Sequence, residues 1–319
     1  MDQSQISPVP GRNPVSFQSQ GYKLAGHLHA PRDFEVSSSY PAIVFSPPFN
    51  QVKEQTGAVY GEKLAAAGFI TLAFDHVGYG ESEGGVRTYE HPFVKIDSIR
   101  DAVSFLGTLR FVDNERLFGL GVCASGGYMA LTATSDKRLK AIATVSGMMS
   151  NRSSFFDTMD RETVVSLIAG ANAGRQKAYE SGEVEYVDGS GLAGLENPEE
   201  LPEGSARREG YEFYMTARAG KETYPTYSNL SPIFVIEQQM LADAQAFAPH
   251  LYTPYIGIYG ERALQDTGPL TVNFHAAASD PKELVEIKGA SHVSLYDIDE
   301  DVDRAVEAMV TFFRKHGAA

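Results

Sequence analysis

The chain has 319 residues, a hydrophobic content of 43%, a formal net charge of −14 and a single cysteine. The acidic balance argues against a nucleic-acid partner, which needs a basic surface, and against binding to anionic membranes. One cysteine excludes an internal disulfide and a multi-cysteine zinc site, and no apolar run approaches the ~18 residues of a membrane span. The first residues lack the basic and apolar regions of a secretory signal, so we expect a cytoplasmic protein.

The first half of the chain alternates between predicted strands and predicted helices. Residues 15–19 and 22–29 flank a glycine, which predicts an antiparallel strand pair. Short apolar runs then alternate with stretches whose apolar residues share one helical face. This alternation predicts an α/β fold with a mostly parallel, doubly wound sheet that is covered on both faces. The further strands are predicted at 42–45, 69–74, 116–121 and 139–145, and the helices at 52–68, 97–109 and 128–134.

The alternation stops after about residue 147 and resumes near residue 246. Long helical stretches and a Gly-, Glu- and Pro-rich segment at 189–204 lie between these points. We interpret residues 148–245 as a helical cap inserted into an α/β core that comprises residues 1–147 and 246–319. The elements predicted in this half are helices at 162–179, 233–247 and 302–315 and strands at 255–259 and 283–287.

A group of large side chains follows the polar segment of the predicted cap. These side chains could line an acyl pocket or pack the cap onto the body, and the sequence does not separate the two. The group comprises Tyr211, Phe213, Tyr214, Met215, Tyr224 and Tyr227.

The sequence Gly-Val-Cys-Ala-Ser-Gly-Gly at residues 121–127 joins a predicted buried strand to a predicted buried helix. A sharp strand-to-helix turn with small residues two positions either side of its apex is typical of a nucleophile elbow. With Cys123 at the apex, Gly121 and Ser125 are the small flanking residues. With Ser125 at the apex, the strand must run two residues further. We therefore favour Cys123 as the nucleophile, and a plain buried cysteine beside a Gly-rich turn is the alternative.

Two loops supply candidate partners for this nucleophile. His292 follows the last predicted strand in a loop of small residues, and loops at the carboxyl ends of doubly wound strands form the active crevice. We predict that His292 is the general base. The loop after strand 42–45 contains Phe49, and its N–H and that of Ala124 are predicted to form an oxyanion hole, since Pro48 has no N–H. Asp75 is interpreted as a structural residue that fixes its own loop.

Four segments together resemble the dienelactone-hydrolase-like branch of the α/β-hydrolase superfamily, within which they are similar to bacterial hydrolases and to fungal polyketide thiohydrolases and transferases. The resemblance covers nearly the whole chain outside residues 189–204. It implies an α/β-hydrolase fold with a helical cap insertion, with Cys123 as nucleophile and His292 as base. The segments are 52–56 (Val-Lys-Glu-Gln-Thr), 73–82 (Ala-Phe-Asp-His-Val-Gly-Tyr-Gly-Glu-Ser), 122–128 (Val-Cys-Ala-Ser-Gly-Gly-Tyr) and 289–297 (Gly-Ala-Ser-His-Val-Ser-Leu-Tyr-Asp).

The acid of the triad has two candidates. In this superfamily it follows the strand after the cap, where a Gly-x-x-Asp arrangement would place it at Ala263, which has no carboxylate. We favour Glu261, because strand ends hold geometry better than loops do, and Asp266 is the alternative.

These residues predict cleavage of a carboxylic ester or thioester through a Cys-His-acid triad and an acyl-enzyme. The chemistry requires no metal or organic cofactor, and the expected partner is a small-molecule acyl substrate. A homo-oligomer is compatible with the sequence. Acyl transfer in a biosynthetic pathway and a non-catalytic hydrolase-fold binding protein are the alternative functions.

Overall fold

A computed structural model describes residues 6–192, 194–195, 197–265 and 267–317. Most strands of the described residues join one eight-stranded sheet, and two short strands pair separately. In chain order the strands are β1 (Gly11–Ser19), β2 (Tyr22–Ala30), β3 (Tyr40–Ser46), β4 (Ile70–Phe74), β5 (Val112–Val122), β6 (Ala141–Val145), β7 (Tyr186–Asp188), β8 (Leu230–Pro232), β9 (Tyr255–Gly260) and β10 (Lys282–Ile287).

The helices lie on both faces of this sheet and in the segment between β6 and β9. They are α1 (Thr56–Ala66), α2 (Pro92–Gly107), α3 (Ala124–Ser135), α4 (Asn151–Phe156), α5 (Arg161–Ser181), α6 (Ala206–Tyr214), α7 (Ile236–Gln239), α8 (Gly268–Ala277), α9 (Ser294–Asp297) and α10 (Asp299–His316). Short 3₁₀ turns occur at Pro198–Glu200, Gln245–His250 and Glu261–Gln265.

The large sheet has the strand order β1-β2-β4-β3-β5-β6-β9-β10. β1 and β2 form the predicted antiparallel pair, β2 is antiparallel to β4, and the remaining neighbours are parallel. Every residue of β4, β6 and β9 is buried, as expected for strands covered on both faces. The prediction of a mostly parallel, doubly wound sheet is confirmed.

Apolar helix faces cover the two sides of the sheet. Side chains of α2 and α3 such as Ile99 and Met129 belong to one buried cluster, and side chains of α1 and α10 such as Leu64 and Met309 belong to the other. α2 begins at Pro92 rather than at the predicted residue 97, because Pro suits the first helical position and the His91 side chain caps the N–H of Val94.

The segment of residues 146–254 between β6 and β9, called the insertion below, lies outside the large sheet. The predicted helix at 162–179 is confirmed as α5, but the helix predicted at 233–247 is wrong. That stretch forms only α7 and the Gln245–His250 turn. Its backbone bonds to the segment before α4 instead, with Ala244 N–H on the Met149 carbonyl, and Asp243 pairs with Arg152 at 2.9 Å. These tertiary contacts use groups that a continuous helix would need.

None of the helices in the described part of the chain combines the length and the apolar character that crossing a bilayer would require.

Candidate active site

Cys123 lies at a sharp turn between β5 and α3. Its backbone has φ 54° and ψ −122°, a left-handed conformation that costs a non-glycine residue about 1–3 kcal/mol. Hydrogen bonds from Cys123 N–H to the Val145 carbonyl and from Met148 N–H to the Cys123 carbonyl hold it there. A Cβ at Gly121 would lie 2.1 Å from the Ser125 carbonyl oxygen, so only glycine fits two positions before the apex. The elbow predicted at Cys123 is therefore present in the backbone.

Ser125 belongs to the helix and not to the apex. Its hydroxyl is fully buried, donates to the Pro47 carbonyl at 2.5 Å and accepts from Ser46 Oγ at 2.8 Å. Since the Ser46 proton is used in this bond, His76 Nε2, 2.8 Å from Ser46 Oγ, must be the protonated nitrogen of its ring. This chain of bonds ties the start of α3 to the loop after β3.

His292 lies in the loop between β10 and α9, and only 9% of it is exposed. Its Nδ1 is 2.5 Å from Thr267 Oγ1, and its Nε2 is 2.8 Å from the hydroxyl of Tyr296. Ser146, directly after β6, donates to the His292 carbonyl at 3.1 Å. A Cβ at Gly260 would lie 2.4 Å from the carbonyl oxygen of Ala290, so the end of β9 passes close beneath this loop.

The electrostatics of the Cys123 thiol favour its ionised form. Burial raises its pKa, but the charge of protonated His292 and hydrogen bonding by His292, Tyr296 and the Ala124 N–H outweigh burial. The net effect places the pKa of Cys123 below its usual value. The structure thus brings together Cys123 and His292, which are 169 positions apart by subtraction of their numbers in the sequence.

The two predicted oxyanion donors follow neighbouring strand ends. Ser46 of β3 pairs with Gly121 of β5, so Phe49 and Ala124 each lie three residues beyond adjoining positions of the sheet. The Ala124 N–H, at the first position of α3, interacts with the Cys123 sulfur. Phe49 is half-buried and packs against the same buried cluster as Cys123.

Asp75 has the structural role that we expected from the sequence. It is fully buried, and its carboxylate accepts from the backbone N–H and the ammonium of Lys53 at 2.8 and 2.9 Å and from the N–H of Glu81 at 3.0 Å. These bonds fix the loop after β4 against the loop that precedes α1.

The favoured triad acid, Glu261, lies elsewhere. One carboxylate oxygen accepts from the Gly289 N–H at 2.9 Å and the other from the Lys288 ammonium at 3.2 Å, so the side chain is not directed to His292. The 3₁₀ turn that starts at Glu261 carries its carboxylate outward at the end of β9. The alternative, Asp266, lies outside the described residues.

Comparisons with known proteins place this arrangement in a family. Residues 20–167 match the family model of X-Pro dipeptidyl-peptidase (S15 family). The uncharacterised protein YcjY of Escherichia coli is 33% identical over 317 residues, which are 95% of this chain and 98% of that protein. The chain belongs to the α/β-hydrolase superfamily, in the same family as YcjY.

Solved structures agree with this α/β-hydrolase assignment. The hypothetical protein PA2218 of Pseudomonas aeruginosa matches with a TM-score of 0.84 and 28% identity, covering 98% of this chain and 96% of that one. The α/β hydrolase GrgF of a Penicillium species matches with a TM-score of 0.79 and 21% identity over 98% of this chain and 100% of that one. The sequence of the polyketide transferase of that name is 24% identical over 310 residues, 96% of this chain and 97% of that protein.

The aromatic side chains of the insertion pack onto the α/β-hydrolase core. Phe213 is 1% exposed and meets the Tyr296 ring at a centroid distance of 5.2 Å. Tyr214 stacks on Tyr227 at 6.0 Å and lies 6.4 Å from Tyr296. These contacts support the packing interpretation of the aromatic group. Tyr214 also lies near Cys123, since its pKa is raised first by burial and then by the charge of Cys123.

Tyr296 was missed as a site residue by the reasoning from sequence. It lies four residues after His292, and side chains four apart share one face of a helical turn. That spacing, beside a candidate base, was the available signal. Gln51 in the oxyanion loop was missed as well, and it donates to the Tyr214 hydroxyl at 3.1 Å.

A buried ion pair of Lys95 and Glu90 lies behind the elbow. Their side chains are 2.6 Å apart and at most 1% exposed, and the Tyr79 hydroxyl donates to Glu90 at 2.7 Å. Burial lowers the pKa of Lys95, whereas Glu90 and, more weakly, Cys123 raise it.

Proposed function

We propose that this protein cleaves carboxylic esters or thioesters through an acyl-enzyme on Cys123. The observation that carries the proposal is the Cys123 thiol, which occupies a strained helix N-terminus with a lowered pKa beside His292. A thiolate at such a position is a competent nucleophile toward an acyl carbon.

The reaction proceeds in two acyl-transfer steps. His292 takes the thiol proton, and the Cys123 sulfur forms a bond to the carbonyl carbon while the N–H groups of Ala124 and Phe49 bind the oxyanion. Collapse of the intermediate breaks the bond to the leaving alcohol or thiol, which receives the proton from His292. Water then gives a proton to His292, attacks the acyl carbon and releases the acid and the free thiol. No metal or organic cofactor takes part in these steps.

Asp266 is our proposed acid for this triad. The other carboxylate of its loop, Glu261, is engaged by Lys288 and Gly289. Thr267, the next residue in the sequence, contacts Nδ1 of His292, which is the nitrogen that a triad acid engages.

Acyl transfer to an alcohol or amine is the second candidate function. Its support is the similarity to the polyketide transferase of the Penicillium species over nearly the whole chain. Both functions share the acylation step, and they differ in whether water or another acceptor reaches the acyl-enzyme.

A panel of acyl esters and acyl thioesters, followed by intact-mass detection after an acid quench, tests the proposal. We expect one acyl adduct per chain in the wild type, none in Cys123→Ala, and an adduct in Ser125→Ala. Added alcohols or amines should divert product from the free acid if the protein is a transferase. An adduct that persists in Cys123→Ala, or the absence of any adduct across the panel, would favour another nucleophile or a binding protein.

A further inference from the structure

Tyr296 occupies the nitrogen of His292 that the acylation step uses. Its hydroxyl is 2.8 Å from Nε2, while Nδ1 is directed to Thr267. The phenol ring is 1% exposed and is held by Phe213 at 5.2 Å, so the hydroxyl has little freedom to leave the site. Burial and then the charge of Cys123 raise the pKa of Tyr296, and the Tyr296 hydroxyl in turn helps to lower the pKa of Cys123.

The protonation states of Cys123 and His292 determine which hydrogen bonds the Tyr296 hydroxyl can form. When His292 holds the thiol proton, Nε2–H is a donor, and a phenol oxygen beside it must accept. The single proton of Tyr296 is then left for another acceptor, and the anionic sulfur is the strongest one within reach. When His292 is neutral, the same proton can return to Nε2. In the thiolate–imidazolium state the hydroxyl thus accepts from Nε2–H and donates to the sulfur, whereas in the neutral state it donates to Nε2 and can accept from the thiol S–H.

Tyr214 of the insertion supports this arrangement from the other side. Its hydroxyl accepts from the Gln51 side chain at 3.1 Å, which leaves its own proton free for a further bond. Its ring meets Tyr296 edge-on at 6.4 Å. Gln51 and the Tyr214 ring therefore hold Tyr296 in place from the side of the insertion.

We propose that Tyr296 is a catalytic residue that donates a hydrogen bond to the Cys123 thiolate, and that Tyr214 is a positioning residue through which the insertion acts on the nucleophile. The catalytic role of Tyr296 rests on the proposed function. Its effect on the ionisation of Cys123, however, can be measured without any ester.

The pH dependence of Cys123 alkylation by iodoacetamide is the direct test, because the chain has a single cysteine. Tyr296→Phe removes only the hydroxyl and should raise the inflection of the rate profile by about one unit, the scale of one hydrogen bond to a charged group. Tyr214→Phe should raise it by a smaller amount. The titratable groups that face the sulfur are otherwise unchanged, namely His292, Tyr128 and the Lys95–Glu90 pair.

Tyr227→Phe is the matched control. That ring stacks on Tyr214, but the proton of its hydroxyl is used in a bond to Asn229 at 3.0 Å. The control should keep the wild-type profile. A wild-type profile in Tyr296→Phe, or an equal shift in Tyr227→Phe, would overturn the proposal. If Tyr296→Phe does not fold, Tyr214→Phe decides in the same way.

The two proposals fail separately. A shifted profile with no cleavage of any acyl substrate would contradict the proposed function and leave the role of Tyr296 in thiolate formation intact. Cleavage of substrates with an unshifted profile would do the reverse.

Discussion

The α/β core and the insertion use charged residues in different ways. In the core, the pairs Lys53–Asp75 and Lys95–Glu90 are at most 1% exposed and fix loops next to the elbow. In the insertion, the pair Arg175–Glu237 has an arginine that is 46% exposed and joins two peripheral helices. The two buried core pairs therefore fix geometry, since a buried charge without its partner is strongly unfavourable, whereas the exposed pair of the insertion contributes little.

The contact between residues 50–55 of the core and the insertion, called the seam below, is formed by polar groups. Asn50 donates to Ser231 at 3.0 Å, Gln51 to Tyr214 at 3.1 Å and Gln55 to the Ala219 carbonyl at 2.6 Å. A seam of directional bonds sets the position of the insertion against the loop that carries Phe49, which non-directional apolar packing alone does less well. The core therefore fixes the position of Cys123, and the seam fixes the loop beside it.

The largest expected effect is on the core ion pair. Asp75→Ala removes the buried partner of the Lys53 ammonium, which keeps Glu54 and Glu81, and leaves the N–H groups of Lys53 and Glu81 without their acceptor. We expect a loss of about 3–5 kcal/mol in the free energy of unfolding. Urea denaturation followed by circular dichroism measures it. Asp75→Asn keeps an oxygen for the Lys53 N–H and should lose less. A loss below about 1 kcal/mol in Asp75→Ala would show that the core pair behaves like a surface pair.

A large effect on the chemistry is expected at the base. His292→Gln should slow acylation roughly a hundredfold or more, because the thiol loses its proton acceptor and its imidazolium partner. Single-turnover kinetics with an activated ester measures this step. The exposed His250 provides a control, and His250→Gln should behave like the wild type. A near-normal acylation rate in His292→Gln would show that His292 is not the general base.

A smaller effect is expected at the acid. Asp266→Asn should lower kcat roughly tenfold, the scale of one hydrogen bond to a charged group, and Glu261→Gln should change it little. The reason for the second expectation is that the Glu261 carboxylate binds Lys288 and Gly289. Both variants are compared in one steady-state assay. A larger loss of kcat in Glu261→Gln than in Asp266→Asn would identify Glu261 as the acid.

The seam can be weakened at one amide. Gln55→Ala removes the donor to the Ala219 carbonyl and the acceptor of the Val52 N–H, a loss of about 1–3 kcal/mol if both groups stay buried. Hydrogen exchange should rise in α6 and around Ala219 while β5 and β6 stay protected. Gln176→Ala, at an exposed residue that bonds Glu180, should leave the exchange pattern unchanged. Equal acceleration in the sheet would mean that the insertion and core open together.

The smallest effect is expected at the pair within the insertion. Glu237→Gln weakens the bond to Arg175 and should cost at most about 1 kcal/mol, because water screens the exposed guanidinium. The same urea titration serves as the measurement. If Glu237→Gln lowered the free energy of unfolding as much as Asp75→Ala, the exposed pair would be as important for stability as the buried core pair.

The parallel core and the elbow could be predicted from local signals in the sequence. Continuous apolar runs at β4 and β6 and the small residues around Cys123 are local signals, because burial on both faces and a tight turn each restrict the residues of one segment. The position of His292 near Cys123 was predictable from its place after the last strand, and the structural role of Asp75 from its place in the loop after β4.

Features that depend on contacts between distant parts of the chain could not be predicted from the sequence. The stretch at 233–247 has a helical pattern, yet Asp243 and Ala244 bond to the segment before α4 and interrupt it. Glu261 has the right sequence position for an acid, but the 3₁₀ turn after β9 directs it to Lys288. Tyr214 and Tyr296 are 82 positions apart by subtraction and meet because the insertion folds back over the core. Local propensity carries no information about such contacts, since their energy depends on which distant groups the fold brings within reach.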